Sequence, residues 1–86
     1  MNFEHDPVKS RSNREKHGID FKEAQELWAD DKRIELPSYN QKEERFLIIG
    51  RIEFKNWTAI VTYRGDVVRI ISVRRSRRQE VDLYEG

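Results

Sequence analysis

The chain has 86 residues and no cysteine, which excludes disulfides and thiolate-bound zinc. Apolar residues make up 36% and charged residues 38%, with mean hydropathy −0.94, so one domain with a small core is expected over residues 1–86. The net charge of +1 hides a segregation: residues 1–44 carry −3, residues 45–78 carry +7 and residues 79–86 carry −3, a pattern that suits a polyanion or an acidic protein partner.

The N-terminal segment lacks an apolar leader and no run approaches 18 apolar residues. A cytoplasmic protein without a membrane segment is the expectation. The first helix is read in DPVKSRSNREKHG, with Asp6 as cap, Pro7 in the first turn and Gly18 at the left-handed stop. Val8 is its one clear apolar anchor, so the helix should be largely exposed. The second helix is read in DFKEAQELWADD. Asp20 and Glu23 form a capping-box pattern, and Phe21, Ala24, Leu27 and Trp28 make an apolar stripe.

Strands follow. RIEL is short and stops at Pro37, and SYNQKEE reads as loop. In RFLIIGRIEF, Phe46, Ile48, Ile52 and Phe54 share a face with Gly50, while Arg45, Leu47, Ile49 and Arg51 share the other. A tight link at Lys55-Asn56 leads to WTAIVTYR, and Gly65-Asp66 leads to VVRIISVRR, which implies an antiparallel meander. In SRRQEVDLYE, Ser76 and Gln79 fit a capping box for a last helix. The fold class is α+β, with helices covering one sheet face.

Chemistry concentrates in the arginines. Arg51, Arg64, Arg69, Arg74 and Arg75 lie in or near adjacent strands, and a guanidinium fork matches phosphate oxygens. The cluster reads as a platform for an RNA backbone, as a solvated face, or as arginines that pair with the acidic helices. Arg74 and Arg75 fall on opposite faces by the strand period and should differ in role. Arg77 and Arg78 open a helix, where cations are disfavoured, so phosphates or partner carboxylates should justify them. His17 can move protons near neutral pH or cap its helix beside Lys16. Trp57 and Tyr63 can stack bases or fill the core. The two histidines lack metal-ligand spacing, no Gly-rich phosphate loop or nucleophile triad is visible, and neither metal nor cofactor is expected.

The stretches FEHDPVKSRSNREKHGIDFKEAQELW, EERFLIIGR and VTYRGDVVRIISVRRSRRQEVDLYE together resemble the BrnT family, the toxin halves of bacterial type II toxin–antitoxin modules. The resemblance runs from Phe3 to Glu85, and the positions matching the shared motifs are Lys16, His17, Arg45, Arg51, Arg69, Arg74, Arg75, Glu80 and Tyr84. It implies a RelE-like fold with two N-terminal helices, an antiparallel sheet of three to four strands and a C-terminal helix. It also implies a ribonuclease that blocks translation, and a BrnA-like ribbon-helix-helix antitoxin. Toxin and antitoxin as a hetero-oligomer would bind operator DNA and repress their own promoter.

Metal-independent cleavage needs charge stabilisation at the phosphate and a proton-transfer group. The expected catalytic set is His17, Arg51, Arg74 and Arg75. Lys16, Arg45, Arg64, Arg69, Arg77 and Arg78 are expected to bind substrate. A basic module that holds RNA or protein without chemistry is the competing reading.

Overall fold

The computed structural model describes residues 1–38 and 42–86. Eight elements follow in order: β1 (Asn2–Glu4), α1 (Pro7–His17), a 3-10 helix (Glu23–Ala29), β2 (Ile34–Ser38), β3 (Arg45–Ile52), β4 (Lys55–Arg64), β5 (Val67–Arg75) and α2 (Arg78–Glu85). The strands form one mixed sheet in the order β1-β5-β4-β3-β2. β1 runs parallel to β5 and every other pair is antiparallel. The class is α+β as expected, and β3, β4 and β5 form the expected meander. Three details differ: the sheet has five strands, it is mixed rather than antiparallel because β1 runs parallel to β5, and a strand precedes the first helix. Of the segment read as loop, Ser38 ends β2, and residues 39–41 lie outside the described residues.

The helix stops of α1 follow the sequence closely. Asp6 Oδ1 accepts from Val8 N at 2.9 Å, and Gly18 takes φ 80° while its N–H reaches Arg14 O. A residue with a Cβ would be strained there. The anchoring of α1 does not follow the apolar pattern. Val8 is 62% exposed, and Ser10 and Asn13 are buried instead. Ser10 Oγ accepts from Phe21 N at 2.9 Å. Asn13 Nδ2 donates to Val73 O (2.9 Å) and Ile19 O (2.8 Å), and its Oδ1 accepts from Val73 N (3.2 Å). β1 covers β5 only from Val67 to Arg69. Further along that edge, Asn13 does for Val73 what another strand would do.

The Asp20–Glu23 capping box is present in both directions, with Glu23 N to Asp20 Oδ1 at 2.7 Å and Asp20 N to Glu23 Oε1 at 3.1 Å. The helix it starts is a seven-residue 3-10 segment. Its stripe still packs: Phe21, Ala24 and Leu27 are buried, while Trp28 is half-buried and meets the Phe3 ring edge-on at 4.9 Å. Gly50 lets this helix approach the sheet, because a Cβ there would sit 3.0 Å from Leu27 Cδ2. The core joins Ile19, Phe21, Ala24 and Leu27 to Ile48, Ala59, Val61, Val68, Ile70 and Val73, each large side chain contributing about 1.5–3 kcal/mol on burial.

Ile70 and Val73 are three residues apart, so a regular strand would send them to opposite faces. A register shift at Ile60/Val61 pairs Ile60 with Ser72 and Val61 with Ile70, leaving Ile71 as an extra residue in β5. That bulge brings both Ile70 and Val73 into the core. It also sets the facing of Arg74 and Arg75.

Thr58 and Ala59 are neighbours in β4 and point to opposite faces. Ala59 lies in the core under the N-terminal helices, and Thr58 meets α2 through Glu80. The helices therefore lie on both sheet faces, which corrects the single-face expectation. The sheet buries Ile49 and Thr58 on the second face, and both need cover there. The start of α2 also differs: Arg77 is the cap residue and Glu80 the carboxylate that accepts from Arg77 N (2.8 Å). Ser76 is drawn off the cap by a 2.8 Å hydrogen bond to Thr58 Oγ1.

The β3–β4 turn is Glu53-Phe54, since Ile52 pairs with Lys55; the link read at Lys55-Asn56 lies two residues further on, inside β4. Glu53 has φ 56°, a left-handed conformation that costs a residue with a Cβ of order 1 kcal/mol or more. Phe54 leaves the apolar face assigned to it and stands 96% exposed at the tip. Among the described residues no helix is long and apolar enough to cross a membrane.

Candidate active site

The basic residues divide between the two ends of the sheet. Arg51, Arg74, Arg75, Arg77 and Arg78 gather at the end that carries the β3–β4 turn and the start of α2. Arg64 ends β4, eight residues from Asn56, so at about 3.3 Å per residue it lies roughly 26 Å away. Arg69 and Arg45 belong to that far end. Arg69 Nη1 bonds Glu4 Oε2 at 3.1 Å and ties β1 to β5. Arg45 Nε lies 3.5 Å from Glu43 Oε1, outside hydrogen-bond geometry, and is buried with no hydrogen-bond partner among the described residues. Tyr63 is also at the far end, beside Phe46 and hydrogen-bonded to Glu35. Burial and that carboxylate push its hydroxyl up to about 12.

At the near end, two guanidiniums hold one residue. Arg51 donates to Asn56 Oδ1 from Nε (3.4 Å) and Nη2 (3.3 Å). Arg75 Nε donates to Asn56 O at 3.3 Å, and Ser76 N reaches the same carbonyl at 3.0 Å. The two arginines approach from opposite faces of β4, at the rim of the sheet. Each rests on an aromatic ring: Arg51 lies 5.5 Å from the Tyr84 ring centre and Arg75 5.5 Å from that of Trp57. Both remain exposed to solvent. Asn56 is 8% exposed, and its Nδ2 has no hydrogen-bond partner among the described residues. A buried donor left unpaired costs about 1–3 kcal/mol.

A hydrogen-bond chain fixes Arg51. Asp30 Oδ2 accepts from Arg51 N (2.9 Å) and from Tyr84 Oη (2.7 Å). Burial would raise the Asp30 carboxyl, but bonds from Tyr84, Lys32 N and Arg51 N outweigh it and hold it below its usual value. The Asp30 carboxylate in turn raises the Tyr84 hydroxyl. Glu26, Glu53, Arg51 and Tyr84 line the hollow at this point.

Arg74 is differently employed. Its Nη1 and Nη2 meet Glu80 Oε1 (2.7 Å) and Oε2 (2.9 Å) as a bidentate pair. Glu80 also accepts from Thr58 Oγ1 (3.0 Å) and Arg77 N. The Arg74 fork and these further bonds, against the opposing effect of burial, hold the Glu80 carboxyl down at about 2. Arg74 Nη1 also donates to Arg75 O at 3.3 Å. Sequence reasoning separated Arg74 from Arg75 by strand period but did not identify Glu80 as the partner. An arginine followed six residues later by a glutamate across a strand–helix junction was the available signal.

His17 and Lys16 line a separate hollow with Lys9, Ser12, Asn13, Phe21, Ile71 and Ser72. His17 stands one residue before Gly18, which lines the hollow beside Trp57. Among the described residues no three histidine, aspartate or glutamate side chains gather in a metal-holding group.

A family model described as the ribonuclease toxin BrnT of type II toxin–antitoxin systems matches residues 5–80. The chain belongs to the BrnT family. The match covers Arg51, Asn56, Arg74, Arg75 and Glu80 and stops before Tyr84. Comparison with curated proteins gives no match.

Proposed function

We propose that this BrnT-family chain is an endoribonuclease that cuts RNA without a metal ion and thereby blocks translation in the cytoplasm. The observation that carries the reading is the pair of exposed forks, Arg51 and Arg75, fixed around Asn56 at one rim of the sheet. In the proposed reaction the 2′-oxygen of a ribose attacks the adjacent phosphorus, and the 5′-oxygen of the next nucleotide leaves. Negative charge grows on the phosphoryl oxygens as this happens. Arg51 and Arg75 stabilise that charge from positions set before substrate arrives, and one donor of this type is worth about 3–4 kcal/mol.

We assign proton transfer, worth about 100-fold or more, to His17 with Lys16 beside it; they line a hollow apart from the Arg51–Arg75 rim, so the RNA must reach from one to the other. Arg74 acts through Glu80 and the Arg75 carbonyl, bracing the strand end from which Arg75 projects. Arg77 and Arg78 hold RNA phosphates at the same end of the sheet. Arg45, Arg64 and Arg69 meet only an RNA long enough to cross the sheet. A BrnA-like ribbon-helix-helix antitoxin neutralises the toxin by covering the basic rim, and the hetero-oligomer represses its own operon through operator DNA. Antitoxin binding and loss of cleavage should therefore coincide.

The test is cleavage of a defined RNA by purified variants in EDTA. Arg51→Lys and Arg75→Lys keep charge but lose the bidentate fork. Each should lose at least about tenfold in kcat, roughly 1.4 kcal/mol of barrier, and keep most RNA affinity. Arg74→Lys should lose activity together with thermal stability. Full activity in the Arg51 and Arg75 variants would reduce both to surface charge. RNA binding by the wild type without cleavage would leave a binding module, and loss of wild-type cleavage in EDTA would demand a metal.

A further inference from the structure

The β3–β4 turn is built against its own stability. Glu53 holds a left-handed φ of 56° where glycine or asparagine would be unstrained, and the next residue is a phenylalanine 96% exposed. Neither choice serves the fold. Conflicts of this kind between local rules and structure gather at functional sites. The turn projects from the end of the sheet that holds Arg51 and Arg75, and Arg51 lies three residues before Phe54.

Beside the tip is a hollow between the hairpin and the 3-10 helix. Ile19, Ile52, Phe54 and Trp57 give it apolar walls, and Glu23, Glu26 and Glu53 line it too, with Lys55 where it meets the start of β4. An aromatic wall with carboxylates at the margin suits a base, whose ring stacks and whose edge carries N–H donors. It does not suit a phosphate. The phosphates fit the adjoining rim, where Lys55, Arg51 and Arg75 supply positive charge.

We propose that Phe54 is a stacking platform for an RNA base next to the scissile phosphate, placing that phosphate between Arg51 and Arg75. This rests on the ribonuclease reading and adds a substrate-positioning residue to it. Stacking is tolerant of sequence, because every base has a π-face. The carboxylates at the edge would then favour bases that present donors.

The experiment compares wild type, Phe54→Ala and Phe54→Trp. A 2′-O-methyl RNA strand carrying 2-aminopurine serves as the probe, since it lacks the attacking hydroxyl and its emission changes on stacking. Phe54 is exposed, so the melting temperatures of all three should agree. Phe54→Ala should weaken binding of the probe by about five- to a hundredfold, the range for losing one stacked base. It should also abolish the emission change and raise KM for a cleavable RNA. Phe54→Trp should restore all three. Equal probe affinity and equal KM in Phe54→Ala would overturn the stacking role while leaving the ribonuclease reading intact. Loss of antitoxin affinity with RNA binding unchanged would also overturn it and make Phe54 a protein contact. A wild type that neither binds nor cuts RNA would overturn both readings.

Discussion

Glu80→Gln is the perturbation that best isolates what joins α2 to the sheet. The carboxylate is 8% exposed and accepts from Arg74 twice, from Thr58 and from Arg77 N. Its pKa falls from the usual 4.5 to about 2, with the Arg74 fork as the main cause. At about 1.4 kcal/mol per unit, the ionised form contributes roughly 3 kcal/mol to stability. Breaking a fully buried pair costs about 3–5 kcal/mol. The Arg74 side chain is 20% exposed, which moves the expectation to the lower end. Glutamine keeps the shape, loses the charge and sets an amide N–H against a guanidinium. A loss of about 2–3 kcal/mol at pH 7 is expected, a large share of a stability of about 5–15 kcal/mol.

The pH dependence carries a sign. A folded-state pKa below the unfolded one gives stability that is complete above about 4.5 and is lost as pH falls toward about 2. Glutamine does not titrate, so the gap between wild type and variant should be widest at neutral pH and close between pH 4.5 and 2. Urea unfolding at pH 7, 5, 4 and 3 measures this. A gap below 1 kcal/mol at pH 7, or one that stays constant down to pH 3, would refute the reasoning.

Asn13→Ala should cost about 2–4 kcal/mol, because it strips partners from the Val73 and Ile19 peptide groups at a buried site. Val8→Ala in the same helix should stay within about 0.5 kcal/mol, and equal losses in urea would refute the polar anchoring of α1. Phe21→Ala should cost about 3–5 kcal/mol as a fully buried side chain. Trp28→Ala should cost clearly less, since Trp28 is half-buried; the reverse order in thermal melts would place the core elsewhere.

Local signals were legible in the sequence wherever one residue type satisfies one backbone need. Asp6, Pro7 and Gly18 bound α1 as their chemistry requires, and Asp20 with Glu23 starts the second helix. Apolar alternation identified β3, and β-rich runs bounded by turn residues identified β4 and β5. A three-residue strand, Asn2–Glu4, left no periodicity to read. α1 escaped an apolar reading because it docks by hydrogen bonds from Ser10 and Asn13 rather than by a hydrophobic stripe.

The arginines show the same division. Their number, their place at strand ends and the separate roles of Arg74 and Arg75 were set by the sequence, because charge and strand period are local properties. Which partners each arginine takes was decided by tertiary structure, Arg51 Nη2 for instance lying 3.7 Å from Glu85 Oε2. The bulge at Ile71 sets the face of every later residue in β5, and it forms because Ile70 and Val73 must both enter the core. That choice turns Arg74 toward Glu80 on α2 and leaves Arg75 with Trp57 and Asn56. The pairing of Arg51 with Asn56 and Tyr84, and the exposure of Phe54, likewise depend on where the hairpin turns and which face α2 covers. Those outcomes come from burying apolar surface across the whole sheet, a sum over contacts far apart in the chain that no short stretch of sequence contains.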